Sequence, residues 1–298
     1  MRKQNMKKNL LWAMAAALVC GTSVFTSCSS DDDPVTPPEK QLPKVSKIYS
    51  SNTVKAERNV AGKWVTLYDR AKERALLYGF QRTGDRLESI ETADGIWVLT
   101  YDNNQRVINA KISNSRFNYS YEYDAQGRLA QTVHTVPFDG IIDIIHTTTY
   151  TYSNNKLVKT ECTNAFTGEI EVSPTATTKE VTSYEWQGDN VLSKTVESDL
   201  LNGGHSTEVI SYEYTTLLNP FYNDILLQTG LFSIAGIGDD SSALSKNLVK
   251  TATVGTVVYY YEYTTAGDRV VSFVRDYTAE NDAIRVTTHG VYELEYVE

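Results

Sequence analysis

From Lys44 to the C-terminus, apolar and polar residues alternate in runs of about 6–10, the period-2 signature of a strand with one buried face. Phe117-Asn118-Tyr119-Ser120-Tyr121-Glu122-Tyr123 and Val258-Tyr259-Tyr260-Tyr261-Glu262-Tyr263 are clear examples. Aromatic or apolar pairs separated by one residue recur, beginning at positions 78, 99, 121, 150, 184, 212 and 261. The shortest spacings, 21 and 22 residues, accommodate two strands of about eight residues and two turns, so each unit predicts one hairpin. Consecutive hairpins pair in order as a meander. The pattern predicts an all-β fold of roughly 16 antiparallel strands. A twisted sheet of that size curls strongly or closes into a barrel.

The turns carry their own chemistry. In Asp124-Ala125-Gln126-Gly127, the carboxylate can accept backbone N–H groups and the glycine can adopt the left-handed conformation that closes a turn with a bulge. Thr264-Thr265-Ala266-Gly267 resembles it, while Asp102-Asn103-Asn104-Gln105 and Ser153-Asn154-Asn155-Lys156 offer asparagine for the positive-φ position. Glu122, Glu185, Glu213 and Glu262 sit between paired aromatics and therefore face away from them. Two readings follow: an acidic strip that binds a cation or basic partner, or cross-strand pairing with Lys159, Lys194 and Lys250 on the returning strands.

One interruption breaks the repeat, at about residues 217–246. Asn219-Pro220-Phe221 reads as a helix start, with asparagine as the cap and proline in the first turn. Phe221, Tyr222, Ile225 and Leu226 then follow helical spacing. The expectation is a short helical insertion that packs over an open end or concave face. Tyr222 and Phe232 are candidates for lining a ligand there. Asp239-Asp240 lacks the regular spacing of a calcium loop.

The N-terminus is an address. Four basic residues within Met1–Lys8 precede an apolar run, Leu10–Val19, too short to span a bilayer, which predicts a signal peptide over residues 1–27. Phe25-Thr26-Ser27-Cys28 resembles a bacterial lipobox, which implies acyl chains on Cys28 and attachment to a membrane. Ser29-Ser30-Asp31-Asp32-Asp33 resembles the acidic signal that carries Bacteroidetes lipoproteins to the outer face of the outer membrane. The prolines after it make residues 28–43 an extended tether, leaving residues 44–298 as one repetitive β domain.

Composition narrows function by exclusion. Tyrosine dominates the aromatics, 20 against 8 Phe and 4 Trp, as suits a pleated, half-buried surface. Without Arg2, Lys3, Lys7 and Lys8 the chain holds 24 basic against 37 acidic residues, which disfavours nucleic acid and anionic lipid surfaces. Cys162 is the one cysteine left in the β domain, so it has no intrachain disulfide partner there. The four histidines, at 134, 146, 205 and 289, stand in separate segments, and no metal, phosphate-loop or nucleophile-elbow motif occurs. No cofactor, metal or catalytic residue is expected.

The core Tyr121-Glu122-Tyr123-Asp124-Ala125-Gln126-Gly127-Arg128-Leu129 resembles the YD-type repeats of large bacterial wall and toxin shells. After about Val45 the chain is more similar to the DUF4595 group of Bacteroidetes lipoproteins, a group of unknown function whose resemblance implies a porin-like fold. Neither likeness implies a reaction. The first reading is an outer-membrane-anchored lipoprotein with a non-catalytic binding or structural role. Its partner is a glycan or an envelope protein, and Trp97, Trp186 and Tyr222 are the candidate ligand-facing aromatics. The alternative is a polysaccharide-processing enzyme, whose carboxylate pair would meet only in space. A membrane pore requires an uncharged outward band, against which the recurring Glu and Lys speak.

Overall fold

In a computed structural model the alternation resolves into sixteen strands. The described residues are 44–113, 115–138, 142–167, 176–222 and 243–297, with Asp224, Leu226, Thr229 and Leu231. The leader, the tether and Cys28 lie outside them, as do Ile225, Phe232 and Asp239-Asp240. The first eight strands are β1 (Val45–Val60), β2 (Lys63–Thr83), β3 (Arg86–Thr92), β4 (Gly95–Tyr101), β5 (Val107–Ile112), β6 (Asn118–Tyr123), β7 (Leu129–Phe138) and β8 (Ile142–Ser153). They continue as β9 (Lys156–Phe166), β10 (Thr177–Gln187), β11 (Asn190–Leu200), β12 (His205–Leu218), β13 (Asn247–Val254), β14 (Val257–Ala266), β15 (Arg269–Glu280) and β16 (Ile284–Tyr296). Each strand pairs with its sequence neighbour, and β16 pairs antiparallel with β1, closing the barrel. Closure removes the edges that an open meander would expose.

The repeat turns all fall at one end of this barrel, called here the repeat end, together with Lys44 and Val297. Asp124 performs the expected chemistry: its Oδ1 accepts from Gln126 N at 2.9 Å and Arg128 N at 2.8 Å, and Gly127 takes φ 78°. Just inside each turn the returning strand carries a bulge. One side of each bulge faces the next hairpin, whose ladder stops short: β5–β6 pairing ends at Asn109↔Ser120 and β13–β14 at Thr251↔Tyr260. The bulge thus leaves a carbonyl without its ladder partner.

The second aromatic of most repeats fills that gap. Tyr123 donates to Val107 O at 2.7 Å, Tyr214 to Val191 O at 2.6 Å, Tyr263 to Val249 O at 2.7 Å and Tyr296 to Val270 O at 2.7 Å. Tyr101 does the same to Leu87 O, and the Trp186 indole to Leu157 O at 2.8 Å. Burial pushes Tyr123 and Tyr296 up to about 12 and raises Tyr263 as well, so they stay protonated donors. The cation before each bulged Leu or Val lies over the same ring. Arg106 stands 4.5 Å from the Tyr123 centroid, Arg128 4.7 Å from Tyr152 and Lys156 5.0 Å from Trp186. The recurring Tyr-x-Tyr-Asp and Arg-Leu motifs are therefore one device that seals the splay between neighbouring hairpins.

The device changes where the insertion docks. Asn190 and Leu248 occupy the cation's place, and Ser245 of the insertion accepts from Val191 N at 3.0 Å and meets the Tyr214 hydroxyl at 2.8 Å. The insertion's Phe221, Leu226, Leu231, Ala243 and Leu244 are buried in the same core as Tyr121, Tyr184, Tyr212 and Phe273, and Thr229 faces the Tyr121 hydroxyl. It plugs the repeat end. The expected helix start is a turn instead: Asn219 Oδ1 accepts from Phe221 N at 3.0 Å, and Asn219 O from Tyr222 N at 3.1 Å. Among the described residues of the insertion only Leu226, Ala243 and Leu244 are helical. The asparagine makes the bond expected of a cap, to the N–H two residues on, but the backbone bonds that follow span three residues, Tyr222 N to Asn219 O and Asp224 N to Phe221 O at 3.0 Å, and so close turns.

The expected cross-strand pairing of glutamates with lysines is also corrected. Glu185 is held by the Ser193 hydroxyl at 2.9 Å, and Lys159 pairs with Glu161 at 2.9 Å. Lys194 lies opposite Tyr184 and is buried on the inner face, because the bulge after Val191 shifts the alternation of β11. Strand β2 outruns its neighbour: β3 covers only Gly79–Thr83, and the rest is lined with Lys63, Asp69, Arg70, Lys72, Glu73 and Arg74. Charge along an uncovered edge discourages unwanted pairing.

Candidate ligand-binding recess on the inner wall

Residues directly opposite one another on paired strands face the same side. Tyr121 is 3% exposed and points inward, and its row continues through Thr132, Thr148, Cys162, Glu180, Ser198 and Ser206. The neighbouring row Thr182, Val196 and Glu208 also faces inward. The inner wall is therefore apolar and plugged toward the repeat end and polar toward the opposite one. There Ser206 and Glu208 are exposed although they point inward.

A recess of about 310 Å³ lies on this wall across β12 to β15. It is lined by Ala252 and Val254 and by Tyr212, Tyr259 and Tyr261, of which Tyr212 and Tyr261 are 6% and 8% exposed. Its charged members are Glu208 and Arg275. The short β13–β14 hairpin turns at Gly255-Thr256, while β12 and β15 run on past it. Arg275 sits opposite Tyr261 on one side and Gly290 on the other. Its guanidinium carbon is 4.8 Å from the Tyr259 ring centroid and 5.3 Å from that of Tyr277. The Tyr292 hydroxyl also engages it. Gly290 makes room for this: a Cβ there would meet the Tyr292 ring at 3.1 Å. Among the described residues no carboxylate pairs with Arg275, and its buried Nε–H has no acceptor.

A second polar cluster lies on β6 to β9. The Tyr119 and His134 rings stack at 3.7 Å between centroids, and the His146 ring is 5.5 Å from His134. Asn164 Oδ1 lies 2.6 Å from His146 Nδ1 and accepts from Cys162 Sγ at 3.5 Å. Burial, then His146, pulls His134 down to about 4, which keeps it neutral near pH 7. Burial, with Glu180 adding to it, raises the Cys162 thiol, which opposes a nucleophilic thiolate. No three His, Cys, Asp or Glu side chains among the described residues are arranged to hold a metal ion. Glu180 and Glu208 lie two strands apart, roughly 10 Å across the sheet at about 4.8 Å per strand.

The aromatics singled out in the sequence are not brought together. Trp97, on β4, is 7% exposed and packs edge-on against Phe117 and Tyr119. Trp186, on β10, is half-buried, with its indole N–H committed to Leu157 O. Tyr222 lies in the first turn of the insertion. Glu208 and Arg275 escaped notice because the signal is weak. Arg275 is a lone cation on the inward face of a strand that otherwise presents Val270, Phe273 and Tyr277, and the bulge after Val270 masks that alternation.

The architecture is a closed, sixteen-stranded antiparallel barrel with a plug at one end. No family model matches the chain, and no curated protein does. Among solved structures it is similar to a porin-like protein from Bacteroides uniformis ATCC 8492, with 12% identity and a TM-score of 0.44 over 84% of this chain and 96% of that one. A porin-like protein from Bacteroides vulgatus ATCC 8482 is similar at 12% identity and a TM-score of 0.31, over 86% of this chain and 99% of that one.

Proposed function

We propose that the chain is a cell-envelope lipoprotein, anchored at the outer membrane through Cys28, whose barrel binds a saccharide on its inner wall without catalysing a reaction. The observation that carries this reading is the recess itself, where Tyr259, the largely buried Tyr212 and Tyr261, aliphatic side chains and two charged groups meet on the inner wall. Ring faces suit the C–H faces of sugars, and sparse polar groups fix orientation in such sites. The outer wall opposes a pore. Lys111, Lys159 and Lys179, with Glu122, Glu185, Glu213 and Glu262, face outward on six strands. A lysine at a bilayer midplane costs about 2–4 kcal/mol. Incubating the full, folded chain with an array of bacterial and plant glycans tests the reading. Retention of a defined saccharide class is expected, and a protein shown to be folded that retains none would sink it.

A further inference from the structure

We infer that the recess beside Arg275 selects a saccharide carrying a carboxylate, a uronic acid unit, over its neutral counterpart. This rests on the saccharide-binding reading and adds the ligand's charge to it. Arg275 is held by the faces of Tyr259 and Tyr277 and by the Tyr292 hydroxyl, not by an acid. Arg106, Arg128 and Arg285 are each answered by a carboxylate, Asp102 at 2.6 Å, Asp124 at 2.7 Å and Glu280 at 2.6 Å. Arg275 and Arg82 each have a buried Nε–H without an acceptor among the described residues, and of the two it is Arg275 that lines the recess. A part-buried cation among aromatic rings is desolvated, so an arriving anion meets a stronger field there than at the surface. The planar guanidinium fork matches a carboxylate in particular.

Glu208 defines the other requirement. It lines the same recess, and no salt bridge joins it to Arg275. A carboxylate can only accept hydrogen bonds, which suits sugar hydroxyls and repels a second negative charge. The recess therefore fits one anionic group beside a hydroxylated ring, and disfavours densely sulfated or phosphorylated chains. Its volume of about 310 Å³ suits one short saccharide unit and lies at the lower end of the range for small-molecule sites.

The test is titration calorimetry of the full chain with galacturonate and galactose oligomers of equal length and linkage. The acidic oligomer is expected to bind at least about tenfold more tightly, the scale of one hydrogen-bonded charge pair. The preference is expected to shrink as salt rises and to vanish in Arg275→Gln. Equal affinity for acidic and neutral oligomers overturns the inference. So does an acid preference that survives Arg275→Gln, which would place the anion elsewhere and leave the saccharide-binding reading standing. Failure of both oligomers and of every glycan on the array removes the two together. If near-ultraviolet circular dichroism shows that Arg275→Gln does not fold, the comparison of the two oligomers on the unaltered chain still decides.

Discussion

His134 lies flat against Tyr119 with the His146 ring on its other side, and this sandwich has a consequence in acid. In the unfolded chain the imidazole takes up a proton near pH 6.5, whereas in the barrel burial holds it near 4. Between those values the unfolded state binds more protons, so stability falls as the pH falls from about 6.5 through 4. The contribution amounts to at most about 3 kcal/mol, at 1.36 kcal/mol per pKa unit. Urea unfolding at pH 7.5 and 4.5 should show this loss, and His134→Asn should flatten it relative to the parent. An unchanged difference between the two pH values in the variant would assign the loss to other groups. Single residues also mark where sequence reading reached its limit. Asp102 was recognisable as a turn residue, yet the left-handed position falls on Gln105 (φ 61°) and not on either asparagine. The reason is that Asp102 Oδ1 takes the N–H groups of Asn104 and Arg106, each at 2.9 Å. That fixes the five-residue loop seen at Asp124, and Gln105 inherits the place of Gly127.

At the scale of the strand and hairpin, the tyrosine hydroxyls substitute for ladder bonds that the bulges remove. Tyr263→Phe keeps the ring but leaves the Val249 carbonyl, in a buried residue, without its donor. A stability loss of about 1–3 kcal/mol is expected. Tyr260→Phe, on the same strand but outward and 56% exposed, should change stability by less than about 0.5 kcal/mol. Chemical denaturation of the two variants side by side checks this, and equal losses would dissolve the argument. The hairpins themselves were legible, because period-2 alternation and turn residues are local properties. What the second aromatic does was not, since its acceptor belongs to the neighbouring hairpin. Trp186 shows the difficulty: an indole beside a turn reads as a ligand platform until its N–H is found on Leu157, 29 residues earlier. Arg275 shows the converse, a residue that only the β14–β15–β16 register brings beside Tyr259 and Tyr292.

For the molecule as a whole, the number of strands was readable, while closure depended on β1 finding β16. The address is a property of this scale as well. Replacing Cys28 by alanine should abolish incorporation of radiolabelled palmitate in the native host and release the chain from the membrane fraction. Persistent labelling would refute the anchor. Closure has one more consequence, and it concerns time. The final seam joins Val45 to Tyr296, almost the full length of the chain, so its contacts carry a high loop-closure cost and the greatest sequence separation available. Until Tyr296 is in place, both β1 and the growing end present bare edges, the state most prone to wrong pairing and aggregation. Each hairpin can form early, but the finished barrel is assembled only when the last strand arrives. A chain truncated before β16 is therefore expected to be an open sheet in search of a partner, and folding to be slow, cooperative and decided at the C-terminus.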